Sequence, residues 1–93
     1  MLIASLVFDI YIPTVHSLKE KRMYRKSLTD KIQNKFNVSI AESHEQDTHQ
    51  IIGISIVSLV SNKSMGDSVL DNILNFIEKN CDGEIMNIER EFL

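Results

Sequence analysis

The stretch LIASLVFDIYI, Leu2 to Ile12, decides the fold. Leu2, Ala4, Leu6, Phe8, Ile10 and Ile12 share one parity; Ile3, Ser5, Val7, Asp9 and Tyr11 share the other. Successive side chains of an extended chain point to opposite faces. A period of two with β-branched and aromatic members therefore reads as a strand. One of its faces is wholly apolar, and the other is mixed.

Working outward, Pro13 and Thr14 end the strand. Ser17-Leu18-Lys19-Glu20 reads as a capping box, the serine hydroxyl accepting from a helix N–H while Glu20 reaches back. Tyr24, Leu28, Ile32 and Phe36 then recur every four residues, a helical stripe ending near Lys35 to Asn37. Val38 to Ser43 is a short second strand with Val38 and Ile40 on one face, and His44 to His49 is polar enough for a hairpin end. Gln50 to Val60 reads as a central strand with Ile52, Ile54, Ile56 and Val60 on its better face. Met65 to Lys79 repeats apolar residues at Val69, Leu70, Ile73, Leu74 and Ile77, a second amphipathic helix. Asn80 to Gly83 ends it, with Gly83 suited to a positive φ. Glu84 to Phe92 alternates again as a charged edge strand, Met86, Ile88 and Phe92 inward.

The order is β-α-β-β-α-β in one domain, residues 1–93. Its halves, about 2–44 and 49–93, repeat the pattern without repeating residues. Right-handed crossovers turn that order into an α+β sandwich of the ferredoxin-like kind, a four-stranded antiparallel sheet with two helices on one face. The other face is left open, carrying Ile3, Val7, Tyr11, Val57 and Leu59. That is more apolar than water favours.

Charge divides the chain. Residues 17–36 hold seven cations against Glu20 and Asp30, a local net of +5, while the remainder carries a net of −8. Such asymmetry speaks about partners rather than fold. A single cysteine excludes an internal disulfide framework. No stretch approaches the ~20 apolar residues of a membrane span. The apolar N-terminus lacks a basic leader and a cleavage site. A cytoplasmic protein with no membrane contact is expected.

The segments LVFDIYIP (Leu6–Pro13), SLKEKR (Ser17–Arg22), KSL (Lys26–Leu28), NKFNVSIAE (Asn34–Glu42) and QD (Gln46–Asp47) resemble the YlxP-like family of small bacterial proteins, a domain of unknown function. The resemblance covers almost the whole chain and is most specific over Asp9–Pro13 and Ser17–Arg22; the second half matches mainly in pattern. It implies a ferredoxin-like fold, no established activity, and association with ribosomes or RNA. Family members commonly carry an aromatic residue after Q-D. Thr48 and His49 stand there in this chain, so no role is carried to that position.

On a helical wheel Lys19, Arg22 and Lys26 form one outward ridge opposite the apolar stripe, with Lys31 on the flank. A basic ridge of this kind suits phosphates; the alternative is a solvated face. Lys21 and Arg25 fall inside the apolar arc, where a free charge is costly. They are expected either to snorkel or to pair with a carboxylate, Asp9 being one possible partner, and to assist nucleic-acid binding near the first turn.

Other candidates are weaker. Glu42, His44, Glu45, Asp47 and His49 have a metal-binding composition but match no ligand spacing, so a solvated loop is the expectation. His16 is expected just outside the first helix. Cys81 has no activating base in sequence, only Asp82 beside it. Nucleotide-binding glycine loops and C-x-x-C are absent. The strand order is that of an RNA-recognition motif, but IIGISIVSLV (Ile51–Val60) has no aromatic residue, and only Tyr11 is expected on the open face of the first strand. Base stacking is thereby disfavoured.

The reading is a non-catalytic accessory protein with no cofactor, no metal and no small-molecule substrate. It docks on structured RNA or a ribosomal particle through Lys19, Lys21, Arg22, Arg25 and Lys26. The alternative is a homodimeric interaction module using the open sheet face.

Overall fold

The computed structural model describes residues 1–45 and 48–93. The elements are β1 (Leu2–Tyr11), α1 (Leu18–Lys35), β2 (Ser39–His44), β3 (Ile51–Val60), α2 (Lys63–Asn80) and β4 (Glu84–Phe92). The strands form one antiparallel sheet in the order β2-β3-β1-β4. This is the ferredoxin-like α+β arrangement expected from the sequence.

The alternation of β1 survives intact. Ala4, Leu6, Phe8, Ile10 and Ile12 are buried, and β3 meets them with Ile52, Ile54, Ile56 and Val60. The register sets Phe8 opposite Ile54 and Leu6 opposite Ile56, so both central strands turn their heaviest residues to the helices. The helices answer with Leu28 and Ile32 from α1 and with Leu70, Ile73 and Ile77 from α2. Burying side chains of this size contributes roughly 1.5–3 kcal/mol each before the entropy of ordering them is counted.

The helix starts have clear local causes. Ser17 Oγ accepts from the Glu20 N–H at 3.1 Å, and Asn62 Oδ1 accepts from the Met65 N–H at 2.8 Å. Glu20 reaches back one residue further than a capping box requires, its Oε2 accepting from the His16 N–H at 3.0 Å. His16 is exposed just outside the helix, as expected.

Three local readings are corrected. Gly83 does not adopt positive φ, because α2 closes through Cys81 in extended conformation. Glycine is needed at 83 for space: a Cβ there would lie 2.5 Å from Ile10 Cγ2 and 2.8 Å from the Tyr11 carbonyl oxygen. In β4 Phe92 packs against the core opposite Ala4, as expected, but Met86 and Ile88 do not join it. The register shifts between Val7 and Asp9, and Asn87 takes φ 56°. This bulge reverses the phase of the residues before it, so Ile85 faces the core opposite Ile10 and Met86 sits opposite Asp9; beyond it Ile88 is 47% exposed. Finally, His44 is the last residue of β2 rather than a loop residue, and a second register shift between Glu42 and His44 separates the faces those two side chains serve.

Candidate functional site

The basic helix lies over the β2 edge of the sheet, and its charges divide into two sets by position. Lys19, Arg22 and Lys26 are exposed along the outer side of α1. Among the described residues neither Lys19 nor Arg22 forms an ion pair, while Lys26 Nζ donates to Asp30 Oδ2 at 3.0 Å one turn along the same helix. Pairs of that exposed i,i+4 kind contribute only about 0.3–0.5 kcal/mol, so the Lys26 ammonium can be drawn away by another anion. Lys31 and Lys35 are exposed as well and extend the positive side of the helix toward its C-terminus.

Lys21 belongs to the second set. It is 2% exposed, and its ammonium faces one carboxylate and two carbonyls. Nζ lies 2.9 Å from Glu42 Oε2 and donates to the carbonyls of Glu45 at 2.5 Å and Thr48 at 2.7 Å. Arg25 Nε stands 3.6 Å from the other Glu42 oxygen. The arrangement clasps the β2–β3 hairpin to α1. It corrects two expectations. The partner of Lys21 is Glu42 and not Asp9, because α1 crosses over β2, and the parity of β2 turns Glu42 toward the helix. Lys21 also offers nothing to an external anion, since it is buried with its ammonium held by Glu42 and two carbonyls inside the protein. Arg25 is half-buried beside the same carboxylate.

Asp9 is committed on the opposite face. Its Oδ1 meets His44 Nε2 at 2.5 Å, and its Oδ2 accepts from Asn87 Nδ2 at 2.8 Å. Ser43 Oγ lies 2.8 Å from His44 Nδ1 and 2.6 Å from Ser55 Oγ. The His44 ring lies against Gly53, where a Cβ would sit 2.5 Å from Nε2. The middle of the open face is therefore a polar network spanning all four strands, where an apolar surface was expected. Sequence reading missed it because the bulges at Ser43–His44 and at Asn87 bring these side chains to one face out of strict alternation. A clue was present in Gly53, an isolated glycine inside a strand, which signals a close approach.

About one turn along α1 from Lys21, Tyr24 Oη lies 2.8 Å from Cys81 Sγ and accepts from the Asp82 N–H at 3.1 Å. Burial, and then the bond to the thiol, push the phenol up to about 12. Cys81 thus has a structural partner that its sequence neighbours did not announce. Of the proposed metal-binding loop, Asp47 lies outside the described residues. Among the described residues no three of the His, Cys, Asp and Glu side chains cluster as a metal site. Nor is any described helix long and apolar enough to cross a membrane.

The fold and the two clasps define a small ferredoxin-like α+β protein whose distinctive charges converge on the β2–β3 hairpin. A family model described as a protein of unknown function (DUF503) matches residues 3–90. The uncharacterized protein YlxP of Bacillus subtilis (strain 168) is 42% identical over 62 residues, which is 67% of each chain. The chain belongs to the DUF503 family, as the resemblance at Asp9–Pro13 and Ser17–Arg22 implied. Those two signature segments supply Asp9 and Lys21, the anchors of the clasps on either face of β2.

Proposed function

We propose that the protein is a non-catalytic accessory factor that docks on structured RNA, such as a ribosomal particle, through the outer ridge of α1. The observation that carries this reading is the separation of charges on one helix. Lys21 is fully occupied inside, while Lys19, Arg22 and Lys26 stand exposed in one row on a protein that is otherwise acidic. The inward clasp supports the outward role by fixing α1 to the sheet, so the backbone under the ridge needs no ordering on binding. Contacts to phosphate position a protein on RNA without reading its sequence. The open face does not suit the same ligand, because Asp9, Glu84, Glu89 and Glu91 all lie at open-face positions of β1 and β4.

The test is the triple reversal Lys19→Glu, Arg22→Glu, Lys26→Glu, assayed by filter binding against ribosomal RNA or ribosomal particles at low salt. Binding by the parent chain that is lost in the variant, with an unchanged melting transition, supports the reading. Equal binding by both proteins overturns it.

A further inference from the structure

The open face of the sheet has a self-complementary pattern. Read from one end, its first level is Leu59, Ile3 and Leu93, neighbours across β3, β1 and β4. The second level is Ser39, Val57, Ser5 and Glu91 from β2 to β4; the third is Ala41, Ser55, Val7 and Glu89. His44, Gly53, Asp9 and Met86 form the fourth level, and Ile51, Tyr11 and Glu84 the fifth. Four apolar side chains at one end stand well out of the surface: Ile3 at 39%, Val57 at 40%, Leu59 at 66% and Leu93 at 64% exposure. A contiguous exposed apolar group of this kind marks an interaction surface.

We propose that a second copy of this chain covers the face, forming a twofold homodimer whose dyad runs along the strands. A dyad in that direction keeps each level opposite itself and exchanges β2 with β4 and β3 with β1. Leu59 then meets Ile3 of the second copy, and Ile51 meets Tyr11, so the central strands are apolar against apolar at both ends. Glu91 falls opposite Ser39, Glu89 opposite Ala41, and Asp9 opposite Gly53. None of these three carboxylates faces another. A dyad running across the strands does the opposite: it sets Glu89 against Glu89 and Leu93 against Glu84. Like charges directly opposed are destabilising. Charge therefore selects the first arrangement, which has the isologous form that twofold dimers require.

The area is of the right size. Strands of ten, six, ten and nine residues, at about 3.4 Å per residue and 4.8 Å between strands, tile roughly 550–600 Å² of flat sheet. The side chains standing on it bring this toward the ~800 Å² per partner of a standard interface. The dimer leaves α1 of both copies on the outer surface, so it is independent of the RNA reading.

Light scattering coupled to size-exclusion chromatography is the test, at tens of micromolar protein. The expected mass is twice that of the 10.7 kDa chain. Leu59→Lys, at an exposed position, should give a monomer with an unchanged far-ultraviolet spectrum. A monomeric parent, its open face then left to a foreign partner, overturns the proposal. So does a dimer indifferent to Leu59→Lys. Orientation is read with Ser39→Cys and Glu91→Cys in one chain that also carries Cys81→Ala. Within a chain these sites lie on opposite edges of the sheet. A short bismaleimide spanning the ~10 Å between packed sheets should join two copies in high yield. Cross-linked yield no greater than that of the Leu59→Lys background refutes the dyad along the strands.

Discussion

Lys21→Met is the sharpest perturbation of the clasp between α1 and the β2–β3 hairpin. The methionine fills the volume of the aliphatic stem but withdraws the ammonium from Glu42 Oε2 and from the carbonyls of Glu45 and Thr48. Removing one partner of a buried ion pair costs about 3–5 kcal/mol, because the other charge is left without compensation. Two features lower the figure here. Glu42 retains 14% exposure, and Arg25 remains 3.6 Å from its second oxygen. Glu45 and Thr48 are exposed residues, so water can replace the lost donor at their carbonyls. The expected loss is about 2–4 kcal/mol, a fall in Tm on the order of 10–25 °C for a domain of this size. Urea unfolding at neutral pH measures it, with the slope of the transition unchanged. The double variant Lys21→Met, Glu42→Met should recover a large part of the loss, since apolar replacement of both partners is nearly neutral. A single variant within about 0.5 kcal/mol of the parent would refute the clasp.

Asp9→Ala should cost about 1–3 kcal/mol by leaving His44 and Asn87 without their acceptor; in urea melts its effect and that of His44→Ala should be non-additive. Gly83→Ala should destabilise by about 1–3 kcal/mol, because the added methyl meets the Tyr11 carbonyl and Ile10 rather than a movable side-chain end. Tyr24→Phe should change alkaline stability. The phenol is raised from 10 to about 12 in the folded chain, so its contribution is intact below pH 10 and is lost as pH rises through about 12. The parent should therefore lose stability over that window relative to the variant, and parallel pH–Tm curves would contradict the buried, thiol-bonded placement of the Tyr24 phenol.

The fold was legible because β1 and β3 obey strict alternation and because α1 and α2 carry apolar stripes between clear N-caps. What failed were the places where a bulge breaks the parity. Counting by twos back from Phe92 sends Met86 inward, whereas one extra residue at Asn87 exchanges it for Ile85. The same arithmetic cannot bring Ser43, His44 and Asp9 together, since the shift at His44 is a property of the strand pair and not of β2 alone. Within the candidate site, the wheel correctly separated Lys21 and Arg25 from the outer ridge. The identity of their partner was not legible, because it depends on which strand α1 crosses, a tertiary fact with no local signal.

The most direct measurement of the central claim is the salt dependence of RNA binding. With three phosphates engaged by Lys19, Arg22 and Lys26, the plot of log affinity against log salt should fall with a slope of roughly −2 to −3. Single reversals along the ridge should each make it about one unit shallower, while Lys21→Met should leave it unchanged. A slope near zero, or one that none of the three reversals alters, would contradict the account.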